Sequence, residues 1–257
     1  MEELIQNTAK FSKQRADALL VAKKLCESRE KARTLILAGK VRIGKDRLIR
    51  KPSEMIGPDC EIRIEEDLPY VGRGALKLLP ALDKHLPDLS GKIAFDIGAS
   101  TGGFTDLMLQ RNAEKVYTVD AGTGQLHSKL RNDPRVFWKE NTNARNLHDD
   151  FLPEKVDVVT MDVSFISATK IIPSANKFLK PGGLAFILVK PQFEAEKKDV
   201  GKGGVVKEPE VIQSCIQKVA NFAESLGWQL LDIVPSGLKG PKGNLEHFLV
   251  FRKKTLT

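Results

Sequence analysis

The sequence predicts an α/β protein with a small α+β module at its N-terminus and a larger domain around a seven-stranded sheet. Apolar runs of strand length alternate with stretches of helical length over the last two thirds of the chain. A glycine-rich turn follows the first of these runs. Charge also divides the chain, because residues 1–60 carry 14 Lys and Arg against 8 Asp and Glu, whereas residues 61–257 carry 27 against 25.

The composition is that of a globular protein and does not indicate a disulfide-rich or membrane-spanning one. The chain of 257 residues is 41% hydrophobic and 29% charged, as is usual for a globular protein. Its three cysteines are far apart and form no CxxC pair, so neither a disulfide framework nor a metal site is predicted. No signal peptide begins the sequence, and the longest apolar run, residues 184–189, is far below the roughly 18 residues of a membrane span. We therefore expect a cytoplasmic protein without stable membrane association, and a monomer by default.

The first 64 residues are predicted to form two short helices followed by short strands. Ser28 is a suitable N-cap for the second helix, and Gly39 can take a positive φ just after its end. The sequence KVRIGKDRLI then alternates as short strands around a glycine turn. The apolar residues at helical spacing are Leu19, Leu20, Ala22 and Leu25 in the first helix, and Ala32, Leu35 and Ile36 in the second.

Basic residues lie between these apolar positions, so folding is expected to leave a cationic face. The segments RADALL, SREKARTLILAGKVRIGK and KPSEMI resemble the alpha-L RNA-binding domain, a small module of a ribosomal protein, pseudouridine synthases and other RNA enzymes. The resemblance implies binding of folded RNA, and the alternative is an ordinary solvated face. Such contacts reach phosphates and give affinity rather than sequence specificity. The candidate RNA-binding residues are Arg15, Lys23, Arg29, Arg33, Lys40, Arg42 and Lys45.

A linker and a parallel sheet are predicted to follow. Residues 65–74, EEDLPYVGRG, contain Pro69 and two glycines and are assigned to the linker. Residues 75–257 form the larger domain. Its strand runs lie near residues 92–96, 115–119, 135–138, 156–161 and 184–189, and they imply right-handed βαβ units. The last two runs, residues 229–234 and 246–251, are close enough to pair as an antiparallel hairpin at an edge of the sheet.

The stretch DIGASTGGFTDLML places Gly98, Gly102 and Gly103 directly after the first strand run. The spacing is neither the GxGxxG of a dinucleotide site nor the GK[ST] of a P-loop. We interpret these glycines as room for a ligand to approach the backbone, and the alternative is a strand–helix turn without a ligand.

Two carboxylates indicate which ligand this is. Asp96 ends the first strand and suits an ammonium group or a neighbouring network of amides. Asp120 ends the next strand, where a carboxylate commonly binds ribose hydroxyls. A cationic amino acid joined to a ribose indicates S-adenosylmethionine. The candidate residues for this cofactor are Asp96, Gly98, Ser100, Gly102, Gly103, Phe104, Thr105, Asp120, Asn143 and Asp162. For Phe104, a place in the core is an equal alternative.

Eight motifs in order extend the comparison to nearly the whole chain. They are YVGRGALKLLPAL, DIGASTGGFTD, GQLHSKLRNDPRV, ENTNARNL, MDVSFIS, LVKPQFE, GKGGVVKEP and GPKGNLEHFLV. Together they resemble the TlyA family of rRNA 2′-O-methyltransferases, whose members are often labelled hemolysins and whose catalytic half is similar to the FtsJ-like methyltransferases. The resemblance implies a Rossmann-like methyltransferase sheet, ribosomal RNA or ribosomal subunits as the partner, and cytidines in both rRNAs as targets.

The FtsJ-like resemblance also implies a catalytic group of Lys77, Asp162, Lys190 and Glu246. Asp162 and Lys190 follow the apolar runs VDVVTM and LAFILV, so both are expected at the carboxyl ends of strands, in one pocket. The alternatives are a lysine in solvent, an aspartate that caps a turn and a glutamate on an edge strand.

A ribose 2′-hydroxyl is a poor nucleophile, so methyl transfer needs a base within hydrogen-bond reach. Our hypothesis is that Lys190 is this base. A lysine is ordinarily protonated at neutral pH, so desolvation or a second cation such as Lys77 must favour the neutral amine. Asp162 and Glu246 would orient the two lysines. No [DNS]PP[YFW] motif for amine methylation is present, and DVSF occupies its place.

Two other functions stay open at this point. One is a non-catalytic RNA-binding or ribosome-assembly protein, and the other is a membrane-lysing hemolysin. Residues 196–209, EKKDVGKGGVVKEP, are either a mobile lid over RNA or a solvated loop.

Overall fold

The computed structural model describes residues 12–44, 46–64 and 68–255 of the chain. The chain divides into two compact units, Met1–Asp67 and Leu68–Thr257. Lys45, one of the predicted RNA contacts, and residues 65–67 of the predicted linker lie outside the described residues.

The small unit combines two helices with short strands. Strands β1 and β4 form one pair, and β3, β2 and β5 form a three-stranded sheet in that order. The elements are β1 (Gln14–Arg15), α1 (Ala16–Ala22), α2 (Arg29–Leu37), β2 (Val41–Ile43), β3 (Arg47–Leu48), β4 (Met55–Ile56) and β5 (Ile62–Ile64).

The ends of both helices have local causes. The hydroxyl of Ser28 accepts from the backbone N–H of Lys31 at 3.1 Å, so the predicted N-cap is confirmed. Gly39 has φ +72°, as predicted for the residue after α2. Leu25 was expected in the first helix, and this was wrong. Helix α1 ends at Ala22, and because Lys24 takes φ +58°, the chain turns away and leaves Leu25 38% exposed.

One buried carboxylate holds two of the predicted RNA contacts. Asp17 on α1 is fully buried and accepts from Arg15 at 2.9 and 3.0 Å and from Arg29 at 3.1 Å. The hydrogen bonds from Arg15 outweigh the effect of burial and lower the pKa of Asp17 to about 2. Both guanidinium groups therefore have fixed positions at a partly exposed edge.

The larger unit begins before the predicted boundary. The expected linker included residues 68–74, but these residues pack on the larger unit. The N–H of Val71 donates to Asp106 at 2.8 Å, the carbonyl of Pro69 accepts from Gln110 at 2.7 Å, and Tyr70 contacts the apolar core.

The elements of the larger unit alternate as predicted. Strands and helices follow in the order α3 (Ala75–His85), β6 (Ile93–Ile97), α4 (Gly103–Gln110), β7 (Lys115–Val119), α5 (Ser128–Arg131), β8 (Val136–Lys139), β9 (Val156–Met161), α6 (Ile172–Phe178), β10 (Leu179–Val189), α7 (Pro191–Glu194), α8 (Pro209–Ser225), β11 (Trp228–Pro235) and β12 (His247–Lys253). Short 3-10 turns cover residues 144–146, 168–170, 197–199 and 241–243. None of the helices in the described ranges has the length and apolar character needed to cross a membrane.

Seven strands form one mixed sheet in the order β11-β12-β10-β9-β6-β7-β8. Strands β10, β9, β6, β7 and β8 pair in parallel, and β12 runs antiparallel between β10 and β11. The predicted α/β fold and the predicted antiparallel pairing of the last two strands are confirmed. Because β12 is reversed, its first residue, His247, lies beside Val189 at the end of β10. The start of β12 therefore reaches the edge where the parallel strands end.

Apolar side chains cover both faces of this sheet. One core lies under α6 and α8 and includes Phe95, Phe178 and Trp228, and the other lies under α3 and α4 and includes Phe186 and Phe248. Helix α8 begins with Pro209, and at this first position the missing backbone N–H removes no hydrogen bond of the helix. Its inner face consists of Ile212, Cys215, Ile216, Val219, Ala220 and Ala223.

We expect Asp17→Asn to lower the free energy of unfolding of the small unit at pH 7 by on the order of 1 kcal/mol. The charged hydrogen bonds from Arg15 and Arg29 weaken, and water already reaches both arginine side chains. The folded pKa of about 2 lies below the ordinary 3.8, so the contribution is complete above about pH 4 and is lost as the pH falls through 2. Hydrogen exchange of the α1 and α2 amides measures the change. Asp59→Asn, at an exposed position, is the control. Equal protection of both variants at pH 7 would contradict the expectation.

Candidate active site

The glycines after β6 make room mainly for the protein itself. A Cβ atom on Gly98 would collide with the carbonyl oxygen of Asp162, and one on Gly102 would collide with Leu126 and Leu130. Gly98 and Gly102 also have φ values of +85° and +94°, which favour glycine. We interpreted these glycines as room for a ligand. Neighbouring parts of the chain occupy most of the space beside Gly98 and Gly102, and Gly98 also lines the two cavities described below, so its part in this interpretation stays a prediction.

Five predicted cofactor residues line neither of the two cavities described below: Asp96, Gly102, Gly103, Phe104 and Thr105. A Cβ atom on Gly103 would lie 2.7 Å from the backbone nitrogen of Ala75, so this glycine serves the packing of α3. Phe104 is buried against Phe248 in the core, with ring centroids 5.8 Å apart. Thr105 is fully buried, and its hydroxyl donates to Asp96 at 2.7 Å. These residues shape the loop from behind.

Asp96 is likewise placed behind the loop. Its carboxylate is fully buried and accepts from the hydroxyls of Thr105 and Thr160 at 2.7 and 2.9 Å. The prediction that it meets an ammonium group is therefore corrected, because both oxygens face core hydroxyls. Burial raises the pKa of Asp96 to about 6, although the two hydrogen bonds oppose the shift. Since the folded pKa exceeds the ordinary value, ionisation of this group destabilises the fold as the pH rises from about 4 to 6.

A cavity of about 380 Å³ lies at the carboxyl ends of β6, β7 and β9. Asp120 lines it, and its two oxygens accept from the N–H groups of Ser100 and Gly122, each at 2.7 Å. The amide oxygen of Asn143 accepts from the N–H of Arg145 at 3.0 Å, which fixes that side chain on the same wall. Of the predicted cofactor residues, Gly98, Ser100, Asp120, Asn143 and Asp162 line this cavity.

A second carboxylate orders the loop beside this cavity. Glu140 accepts from the N–H groups of Gly124, Gln125 and Leu126 at 2.8–3.1 Å, and Arg131 donates to both of its oxygens at 3.0 Å. The backbone hydrogen bonds lower the pKa of Glu140. Glu140 therefore holds the loop that carries Gln125 into the cavity wall.

The four charged residues predicted to act together meet in the structure. The amine of Lys77 lies 2.9 Å from Glu246 and 3.6 Å from Asp162, and the amine of Lys190 contacts the other oxygen of Asp162. Asp162 and Lys190 directly follow β9 and β10, and Glu246 directly precedes the reversed β12. Adjacent strands that share one edge bring these three together, and α3 supplies Lys77.

Charge within this cluster is balanced. Burial alone would lower the pKa of Lys77, but the carboxylates of Asp162 and Glu246 outweigh it and raise the pKa above the ordinary 10.5. Lys77 therefore stays protonated at neutral pH. The side chain of Glu246 is fully buried and that of Lys190 is 7% exposed, so each charge depends on its partner.

A second cavity of about 530 Å³ opens on this cluster. Lys77, Lys190 and Glu246 line it, and Gln192 donates to Glu246 at 3.2 Å. Gly204 and Asn244 also line it, and the amide of Asn244 donates to the carbonyl of Gly204 at 2.9 Å and accepts from the N–H of Val206 at 3.0 Å. Five residues line both cavities: Gly98, Ser100, Asp162, Ser164 and Phe165.

Comparison with known proteins agrees with this architecture. The sequence model of the FtsJ-like methyltransferase family matches residues 70–254. The chain belongs to the FtsJ-like methyltransferase family. The S4 domain model matches residues 14–61, in the part of the chain where the alpha-L RNA-binding domain was predicted.

Individual relatives of this methyltransferase match along most of its length. The 16S/23S rRNA (cytidine-2'-O)-methyltransferase TlyA of Mycobacterium tuberculosis is 41% identical over 94% of this chain and 90% of that protein. Hemolysin A of Brachyspira hyodysenteriae is 37% identical over 92% of this chain and 100% of that protein. A solved structure from Streptococcus thermophilus, described as a hemolysin, has a TM-score of 0.73 at 39% identity and covers 95% of this chain and 90% of that chain. The predicted membership of the TlyA family is confirmed.

Several residues of the methyltransferase site were missed. Ser164, Phe165 and Gln192 stand in the motifs MDVSFIS and LVKPQFE, but their side chains were not assigned a place. Phe165 is 91% exposed at φ +64° and lies at the boundary between the cavities. All three could have been found in the sequence, because each stands two or three residues after Asp162 or Lys190.

Two threonines that flank Asp96 in the sheet give a matched pair of variants. Thr160 and Thr118 are both register partners of Asp96, but only Thr160 bonds it. Among the described residues the buried Thr118 hydroxyl has no hydrogen-bond partner. Thr160→Val is expected to lower the free energy of unfolding by about 1–3 kcal/mol, and Thr118→Val to leave it unchanged or raise it slightly. Urea denaturation followed by tryptophan fluorescence measures both, and equal losses would contradict the assignment.

Proposed function

We propose that this chain transfers a methyl group from S-adenosylmethionine to the 2′-hydroxyl of a ribose in ribosomal RNA. The observation that carries this proposal is that Lys77, Asp162, Lys190 and Glu246 meet in the larger of two cavities, and that Asp162 also lines the smaller one. One cavity suits a nucleoside-bearing donor, and the other suits a ribose on a polyanion. The site and its catalytic chemistry are proposals, which the family relationship and the geometry support.

The smaller cavity fits the donor in its chemistry. Each oxygen of Asp120 accepts one backbone N–H and keeps acceptor capacity for a ribose hydroxyl. Asn143 keeps its amide N–H₂ group for a base edge, and Val119 and Ile166 supply apolar walls. S-adenosylmethionine, when bound, supplies a methyl group on a positively charged sulfur. Asp162, at the junction, is the carboxylate placed to face a cationic donor group.

Lys190 is proposed as the base that removes the 2′-hydroxyl proton. Its amine lies in the larger cavity, and its contact with Asp162 orients it. Lys77 stays protonated and neutralises Glu246, so that when Lys190 is neutral the remaining negative charge of Asp162 is available to the positively charged donor. The hydroxyl, the methyl group and the sulfur must lie in line. The residues shared by the two cavities mark where the proposed donor and acceptor sites adjoin.

The small unit is proposed to dock folded RNA. Asp17 holds Arg15 and Arg29 in place, which reduces the entropy lost when these groups bind phosphates. The same proposal includes Lys23, Arg33, Lys40 and Arg42, together with Lys45 outside the described residues. Phosphate contacts of this kind make the affinity fall with rising salt.

The relatives suggest the RNA target. The Mycobacterium tuberculosis relative is named for cytidines of 16S and 23S rRNA, and we propose cytidines in both rRNAs as targets of this chain. Ribosomal RNA or ribosomal subunits are then its partner, and the cytoplasm is its location. The expectation of a monomer stays a prediction.

Lys190→Ala is expected to abolish methyl transfer to ribosomal subunits while donor binding persists, because loss of a general base costs roughly 100- to 10,000-fold in rate. Labelled donor and mapped methylated nucleotides measure transfer, and equilibrium titration measures donor binding. Lys239→Ala, at an exposed lysine outside both cavities, is the control. Preserved turnover in the Lys190 variant would reject the assignment. Lysis of liposomes without any methylated RNA would instead favour the hemolysin alternative.

Phe165 is expected to hold the target nucleotide by stacking on its base. The ring is 91% exposed, lines both cavities and lies 5.1 Å from the ring of Phe193. Phe165→Ala should raise the KM for subunits about 10-fold or more, since stacking of a base on an aromatic ring contributes about 1–3 kcal/mol. Phe137→Ala removes a half-exposed ring on β8, outside both cavities, and should leave the KM unchanged. Similar KM values for the two variants would exclude this role.

A further inference from the structure

Ser164 contacts the amine of Lys190 beside the carboxylate of Asp162. The amine donates to the hydroxyl oxygen of Ser164 at 2.8 Å and also contacts Asp162. Ser164 lies in the loop after β9, whereas Lys190 ends β10. Within the described part of the chain, this hydroxyl has no other hydrogen-bond partner. The hydroxyl of Ser164 therefore serves the lysine and forms no hydrogen bond that would stabilise its own loop.

The two contacts limit where the lysine nitrogen can accept a proton. A protonated lysine amine has three N–H groups. When it is neutral, two N–H groups remain beside one lone pair. The hydrogen bond to Ser164 fixes one N–H group, and the attraction of the Asp162 carboxylate favours an orientation with the other N–H group towards it, which leaves the third direction for the lone pair. Because Lys190 lines the larger cavity, the lone pair can then face that cavity in one orientation, without free rotation of the amine.

The location of Ser164 fits this use. Ser164 is exposed and lines both cavities, so it lies where the donor and the ribose hydroxyl must meet. Lys190, in contrast, is 6% exposed and has little access to bulk water. A hydroxyl at the junction thus reaches a nearly buried amine from the reacting side.

We infer that Ser164 is a positioning residue that directs the lone pair of Lys190 at the acceptor hydroxyl. This inference rests on the proposed function, in which Lys190 is the base. In the step, the O–H bond of the ribose breaks and an N–H bond forms on Lys190, while the methyl–sulfur bond breaks and a methyl–oxygen bond forms. The sulfonium becomes a neutral thioether, and the proton leaves Lys190 for solvent after the product departs. Ser164 gains and loses no covalent bond.

The test separates positioning from binding. Ser164→Ala is expected to lower the single-turnover rate of methyl transfer at saturating substrates about 10- to 100-fold, as a misplaced reacting group does. The donor dissociation constant and the KM for ribosomal subunits should change less than about threefold, a difference below 1 kcal/mol. Ser164→Thr keeps the hydroxyl and should restore most of the rate. A purely structural role would not give this split or this rescue.

A neighbouring serine supplies the matched control. The hydroxyl of Ser167 donates to Glu194 at 2.6 Å, away from the lysine. Ser167→Ala therefore removes a hydroxyl from the same loop and should retain the normal rate at a temperature where the variant is folded, as checked by circular dichroism. If Ser164→Ala failed to fold, Ser164→Cys, which keeps the size but weakens the hydrogen bond, carries the same expectation.

The outcomes distinguish this inference from the proposed function. Loss of transfer in Lys190→Ala, together with a normal rate in Ser164→Ala, would overturn the role of Ser164 and leave the function standing. Normal transfer in Lys190→Ala would overturn the proposed base and the inference with it. A rate loss in Ser164→Ala without rescue by threonine would also count against positioning by the hydroxyl.

Discussion

Two lysines and two carboxylates share one nearly buried cluster, and each charge is tolerated because the others are present. The carboxylate of Glu246 is fully buried, and the amine of Lys77 lies 2.9 Å from it. Asp162 lies between the two amines and contacts both. Removal of any one member would leave an unpaired charge in a poorly solvated place, which is costly. The cluster therefore has a structural role, and in the proposed function the same pairing also orients the base.

The reversed strand of the sheet makes this cluster possible. In a wholly parallel sheet, the residue before a strand lies at the edge opposite the active site. Because β12 runs antiparallel beside β10, Glu246 lies at the same edge as Lys190. Strand β9 adds Asp162 at that edge from the other side. The edge at which the parallel strands end therefore also carries Glu246, which in a parallel strand would lie at the opposite edge.

Behind the cavities, a second group of buried polar residues shapes the loops. Asp96 lies between β7 and β9 in the sheet and binds two hydroxyls instead of a ligand. Glu140 accepts hydrogen bonds from three backbone N–H groups of the loop beside the smaller cavity. Such hydrogen bonds restrict the conformations of an irregular backbone segment, because a conformation that left a buried donor or acceptor without a partner would cost free energy. The cavity walls are thus ordered before a ligand arrives.

Sequence alone determined the alternation of strands and helices, because the period of apolar residues follows from local backbone geometry. It also determined that Asp162, Lys190 and Asp120 end strands, and a family resemblance added Lys77 and Glu246. Sequence left open whether Phe104 faces the core and assigned Gly103 to a ligand, because the glycine-rich turn before α4 carries no periodic signal for how the first turn of the helix is oriented. Only the tertiary structure decided which atoms meet, such as Ser164 with the amine of Lys190. The physical reason is that strand order and register bring together residues that no local pattern relates.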